Sequence, residues 1–254
     1  TKSFIPIVVA AVIATTVGRS LTGDVAAFDS IPQYKLGSAV EYPFYIVLGI
    51  LTGLAASIFI KSLNFVEIEF ERLKIIPIPL KTCLGGLFVG IIAISFPHIL
   101  GNGFDVTSDL ISLDSNEDGN IIVGDNLTDD ENSNSVLDNL LLFIISIMAL
   151  KIIATSVSIG SGGSGGIFTP SLFIGASIGA GMGLILNDLG IITHPGAFAL
   201  VGMAAFVAST TRATLTAIVL LFEMTATYEI ILPLMLSCVV ADATCYVISK
   251  ESAY

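Results

Sequence analysis

Charge is what this chain has least of. Only 12% of its 254 residues are Asp, Glu, Lys or Arg, against 54% hydrophobic residues, and mean hydropathy is +0.93. A soluble domain carries about a quarter charged residues. The deficit excludes an ordinary soluble globular protein and points to a polytopic membrane protein. Basic residues are scarce: ten Lys and Arg leave a net charge of −11, which argues against nucleic-acid binding. Cysteine is limited to Cys83, Cys238 and Cys245, each inside an apolar run. An odd, scattered set offers neither a disulfide framework nor metal-ligand spacing, and these thiols read as small hydrophobes in a core. Histidine occurs only at His98 and His194, each beside a proline, with no His/Glu metal set, so an enzyme is not expected. The first apolar run has no basic segment before it and no cleavage site after it, so it does not read as a signal peptide.

What remains is apolar sequence in blocks, at about 4–17, 43–66, 82–100, 139–159, 167–187, 196–223 and 229–249. Several reach the roughly 20 residues a helix needs to cross a bilayer. Others are short or broken by Gly and Pro. The uneven lengths predict an all-α membrane protein with tilted, re-entrant or half-membrane helices. Irregular backbone at membrane depth survives only where it is buried in protein or lines a cavity. Strict alternation is absent, so strands are not expected. Gly-x-x-x-Gly spacings at Gly49/Gly53, Gly86/Gly90, Gly175/Gly179 and Gly179/Gly183 allow close helix approach, within one chain or between two.

The acid is concentrated. Ten of the 21 acidic residues lie between Asp105 and Asp138, where there is no Lys or Arg. Lys61, Arg72, Lys74 and Lys81 mark the connector near 61–81 as cytoplasmic, so the acidic loop 101–138 falls outside the membrane on the other side. Within it, Asp114, Asn116 and Asp118, followed by Gly119 and ending at Asp125, match D-x-[DN]-x-[DN]-G with Asp at the twelfth place. Alternating oxygen ligands and a turn glycine are what a calcium loop needs. Ile122 is a poor ninth ligand, and a merely solvated acidic loop is the other reading. Asn126-Leu127-Thr128 is also a glycosylation sequon.

The stretch that carries chemistry runs from Ser156 to Pro170, with Gly160, Gly162, Gly163, Gly165 and Gly166 between two apolar helices. Pro170 suits the first turn of a helix. Gly166-Ile167-Phe168-Thr169-Pro170 therefore reads as a helix start, whose first amides lack partners and carry the positive end of the dipole. Buried in a membrane, that end suits an anion that must also leave. Gly160 to Gly165 formally matches G-x-G-x-x-G, but no acidic residue follows about 20 positions on, and the P-loop Lys is missing. Lys151, inside an apolar run, is a candidate for function or for structure. Arg212 is expected to pair or cap at a helix break, while the surroundings of Asp242 are not readable.

Gly165 to Pro170 resembles the G-x-F-x-P signature of the CLC family of chloride channels and chloride/proton antiporters. Ala199 to Thr225 is similar to the family's AGM…R.PLT…EMT helix, and Ile231-Leu232-Pro233 to its ILP start. Leu48 to Gly53, Gly85-Gly86 and Gly101 to Phe104 fall in the family's order. The resemblance covers essentially the whole chain except the acidic insertion. It implies a CLC-like inverted-repeat architecture with only the second repeat present, residues 1–254 being one transmembrane domain. It implies chloride held by the amides of Ile167 and Phe168, with Gly166 beside them, and by the hydroxyl of Tyr254. It also implies a homodimer built from helices near 3–18, 200–223 and 230–248, a place in the cell membrane, and no cofactor. The family's G-S-G-I-P and G-R-E-G-P motifs, which belong to its first repeat, do not occur here. The sequence is therefore expected to be part of a longer polypeptide that supplies an N-terminal half. The alternative is a membrane scaffold or receptor-like protein with a cation-binding acidic loop.

Overall fold

The computed structural model describes residues 4–23, 41–72, 77–115, 121–122, 133–191, 194–225, 228, 230–249 and 253. Nine α-helices occur among them: α1 (Phe4–Thr22), α2 (Tyr42–Arg72), α3 (Ile78–Ser95), α4 (Phe104–Ile111), α5 (Ser133–Gly160), α6 (Phe168–Asp188), α7 (Pro195–Thr211), α8 (Thr214–Thr225) and α9 (Ile231–Ile248). The one described sheet is a two-residue ladder, β1 (Asp114–Ser115) against β2 (Ile121–Ile122), antiparallel. Among the described residues, four helices are long and apolar enough to cross a membrane: Tyr42–Arg72, Asn139–Gly160, Phe168–Asp188 and Ile231–Ile248. The remaining apolar helices are shorter, so the uneven lengths read from the sequence are present in the fold.

α7 is the axis. Every residue from Pro195 to Thr210 is buried. A helix apolar all round belongs in the interior, and small residues here let neighbours close in. α6 lies antiparallel along it: a Cβ added at Gly175, Gly179 or Gly183 would run into the α7 backbone at Gly202, Phe198 and Pro195 respectively. α2 and α9 pack against the same axis. Gly49 and Gly53 of α2 meet Ser237, Val240, Ala241 and Thr244 of α9, and the Ser237 hydroxyl donates to the Tyr45 carbonyl at 2.7 Å. Tyr45 stacks on Phe198 with ring centroids 4.4 Å apart. The Gly-x-x-x-Gly pairs of α2 and α6 thus pack helices within one chain. At Gly86 and Gly90 of α3 a Cβ meets nothing.

The apolar block 196–223 is two helices, with the break at Arg212 where the sequence led one to expect it: Arg212 adopts a left-handed backbone (φ 57°, ψ 22°) between α7 and α8. One feature departs from the sequence reading: the segment 101–138 is not all loop. Phe104–Ile111 coils because Val106, Thr107, Leu110 and Ile111 share one face, which is buried. α1 shows the opposite extreme, since its described side chains are all exposed, with Ile5 and Ile7 at 65% and Leu21 at 80%.

Hydroxyl groups also join helices among the described residues. The Ser62 and Ser156 hydroxyls join α2 to α5 at 3.0 Å. Ser62→Ala is expected to lower stability by about 1 kcal/mol, the net worth of a neutral hydrogen bond. Adding Ser156→Ala should cost little more, because both hydroxyls are then gone. Thermal unfolding of the detergent-purified single and double variants checks this, and full additivity would show that the pair is not coupled.

Candidate functional site

The glycine-rich turn between α5 and α6 is a helix ending followed by a helix start. α5 closes in a Schellman arrangement. Gly162, at φ 86°, donates to the Ile159 carbonyl at 2.9 Å, and Gly163 donates to the Ser158 carbonyl at 3.0 Å. Gly160 lies against the α2 backbone at Val66 and Glu67, where a Cβ has no room. Gly166 faces open space. The glycines of this turn therefore serve different ends: close approach, a left-handed cap, and an uncovered backbone.

α6 then begins at Phe168 with Ile167 as N-cap and no side-chain cap. The Ile167 carbonyl accepts the Ser171 N–H at 3.0 Å and its hydroxyl at 2.8 Å. No acceptor among the described residues takes the N–H groups of Gly166, Ile167, Phe168 or Thr169. Three or four unpartnered amides at a helix start are the usual condition of that end, and inside apolar protein they demand a ligand or water. The Ile167 and Phe168 side chains pack against the core.

A cavity of about 380 Å³ opens beside this helix start, lined by Gly165, Gly166, Thr169 and Pro170 on one side. Lys151, Ala154, Thr155, Ser158 and Ile159 of α5 form another wall, and Leu100, Gly101 and Asn102 a third. Lys151 is the one charged side chain among the lining residues. It is only 3% exposed, and its Nζ donates to the carbonyls of Ile99 at 2.8 Å and Gly101 at 3.0 Å, with the Phe173 ring centroid 5.3 Å away. A buried ammonium is tolerable only where protein dipoles replace its water. The loop that provides them turns at Gly101 (φ 66°) and Gly103 (φ 74°), and a Cβ at Gly103 would strike the Phe173 ring.

Of the residues singled out in the sequence, Gly166, Ile167 and Phe168 come together at the α6 start. Tyr254 lies outside the described residues, as do Asn116, Asp118 and Asp125. The neighbour of Tyr254, Ala253, is described, and its N–H donates to the Thr210 carbonyl at 3.0 Å. Asp114 sits in β1, directly after α4. No group of three or more His, Cys, Asp or Glu side chains among the described residues could hold a metal ion. Arg212 caps α7 and pairs with Asp242 at 3.1 Å. His98 falls in a short 3-10 turn and His194 at the α7 N-cap, both at ends of elements. The sequence reading missed Thr155, Ser158 and Asn102. The signal for the first two was present: 151, 155 and 158 are spaced i, i+4, i+7, one face of a helix.

The chain was compared with known proteins. Residues 1–246 match the model of the family described as voltage gated chloride channel. The chain is 35% identical over 240 residues to the chloride channel protein CLC-f of Arabidopsis thaliana, covering 90% of this chain and 28% of that one. It is 30% identical over 253 residues to the voltage-gated ClC-type chloride channel ClcB of Escherichia coli, covering 98% and 54%. Among solved structures, a slow cyanobacterial Cl⁻/H⁺ antiporter superposes with a TM-score of 0.75 at 29% identity, over 96% of this chain and 52% of that one. A CLC-type fluoride/proton antiporter shares the fold, with a TM-score of 0.70 at 19% identity. The chain thus spans about half the length of the bacterial relatives it matches, and less of the plant one. Helices of membrane-crossing length, the glycine-lined helix start and the family match over residues 1–246 lead to one assignment: the chain belongs to the voltage gated chloride channel family.

Proposed function

We propose that the full protein moves chloride or a similar small anion across the cell membrane, as a channel or a chloride/proton antiporter, and that this chain supplies half of its pathway. The observation that carries the reading is the start of α6, where amides without acceptors open beside a cavity whose one charged lining residue is Lys151. Helix-end amides bind an anion through partial charges, firmly enough to strip its water and weakly enough to release it. Lys151 adds a full charge, moderated by the carbonyls it already holds. In this reading the amides of Ile167 and Phe168 hold the ion, Gly166 leaves them uncovered, and the Tyr254 hydroxyl completes the shell as a neutral donor. The remaining ligands come from an upstream half of the same polypeptide, and the working unit is a homodimer.

Chloride efflux from liposomes holding the full-length protein, with external pH followed at the same time, tests the reading. Chloride efflux is expected. Proton counterflow identifies an antiporter, and its absence a channel. Folded protein that passes no chloride would overturn the proposal. Tyr254→Phe, which removes one hydroxyl, is expected to weaken chloride binding roughly tenfold, since a hydrogen bond to a charged group is worth about 1.5–3 kcal/mol. Isothermal titration of the purified protein with chloride measures it.

A further inference from the structure

α5 turns two polar faces in different directions. Ser156 reaches α2, where its hydroxyl meets that of Ser62. Lys151, Thr155 and Ser158 line the cavity beside the α6 start instead. They span about 10 Å along the helix, at about 1.5 Å per residue. Helix hydroxyls in an apolar setting ordinarily donate to a carbonyl one turn back. Ser146 of α5 does so at 2.6 Å, and Thr52, Ser57 and Ser177 do so on α2 and α6. The Thr155 and Ser158 hydroxyls do not: among the described residues neither has a hydrogen-bond partner.

Thr155 is only 8% exposed, so more than nine-tenths of it is buried. Its oxygen is nonetheless not sealed in, since the one fully enclosed side-chain oxygen without a partner among the described residues is Asp109 Oδ2. The hydroxyl therefore opens into the cavity that Thr155 lines. Leaving such a group bare is costly. The charge of the cavity decides what satisfies it. No Asp or Glu is among the lining residues, and Lys151 holds the neutral carbonyls of Ile99 and Gly101 rather than a carboxylate. No acid in this wall compensates the ammonium. A hydroxyl can donate or accept, and beside an uncompensated positive charge it turns its hydrogen toward an anion.

We propose that Thr155 and Ser158 are anion-coordinating residues: their hydroxyls form a station on α5 for a small monovalent anion, between Lys151 and the α6 start. As a step in transport, the station rests on the reading that the α6 amides hold the anion. Gly165, Gly166 and Thr169 line the same cavity, so an ion released by the hydroxyls meets the helix start within one enclosure. Neutral donors hold an ion loosely enough for it to move on. Two anions in one enclosure repel, and each helps to dislodge the other. The charge of Lys151 offsets that repulsion and lets both enter.

Crystals of the full-length protein grown in bromide test it, because bromide substitutes for chloride and its anomalous scattering locates it. Bromide is expected in contact with the Thr155 hydroxyl, separate from the ion at the α6 amides. In a protein carrying both Thr155→Val and Ser158→Ala that signal should vanish while the α6 signal stays. Thr155→Ser, which keeps a hydroxyl, should retain the signal. Chloride efflux from liposomes should fall roughly tenfold in the double variant, as loss of hydrogen bonds to a charged group predicts. A signal that survives the double substitution, or an efflux that does not fall, overturns the proposal. If the double variant does not fold, the bromide positions in the parent decide. Bromide at the α6 start with none beside Thr155 overturns the station and leaves the amide reading standing. Bromide at neither place overturns both.

Discussion

Gly179→Leu is expected to abolish the folded protein, while Gly86→Ala, in a spacing that looks the same in sequence, leaves it unchanged. A Cβ at Gly179 falls on the backbone of Phe198 and Ala199, and one at Gly86 meets nothing. Ordinary overpacking of a core costs about 1–3 kcal/mol because side chains can shift. Here the obstacle is main chain of the most buried helix. α7 would have to move off α6 along its length, pulling Phe198 from Tyr45, which it stacks on at 4.4 Å. Proteins are stable by only about 5–15 kcal/mol, so a displacement on that scale leaves no folded state. In lipid there is little hydrophobic drive to hold helices together at a distance, and close packing is itself the attraction. Gly86→Ala instead replaces a poor helix former with the best one, on an open surface. Size-exclusion profiles of the two variants in detergent check the contrast, and a monodisperse Gly179→Leu protein would refute the packing argument.

The sequence made the helices legible because low charge and apolar blocks reflect the bilayer, a constraint that acts on every residue. The α6 start was legible for a similar reason: proline in a first turn after a run of glycines has few other structural uses. The α7/α8 break was legible in part. The polar run Ser209-Thr210-Thr211-Arg212 interrupts the apolar block and marks Arg212 as a residue that pairs or caps, but its partner Asp242 lies 30 residues away. Spacing along a chain cannot reveal such a pair. α4 was obscured in the opposite way, since its acidic residues mask an amphipathic pattern only eight residues long. The Gly-x-x-x-Gly spacings promised close contacts at three places, and at Gly86/Gly90 the described chain provides none. The spacing states what a helix permits, and the neighbour decides whether it is used.

Lys151→Met is expected to reduce chloride passage by roughly tenfold or more, with Lys151→Arg retaining most of it. Two effects have to be separated. The first is structural: without the ammonium, the carbonyls of Ile99 and Gly101 lose a donor in a buried place, at about 1–3 kcal/mol for unsatisfied buried groups. That loss appears as a lower unfolding temperature. The second is electrostatic: the cavity beside Gly166 and Thr169 loses its one charged lining residue, and an anion entering low dielectric feels a missing charge strongly. Arginine keeps the charge and can reach both carbonyls with its fork, so it preserves the first effect in part and the second almost fully. Salt provides an independent check. A surface charge acts through solvent and is screened within about 8–10 Å at physiological ionic strength, whereas Lys151 is 3% exposed. The Lys151→Met defect in chloride efflux should therefore persist when an impermeant salt is added at high concentration. If Lys151→Met passes chloride at the parental rate but melts earlier, the lysine serves only the loop carbonyls, and the charge in the anion cavity is incidental to transport.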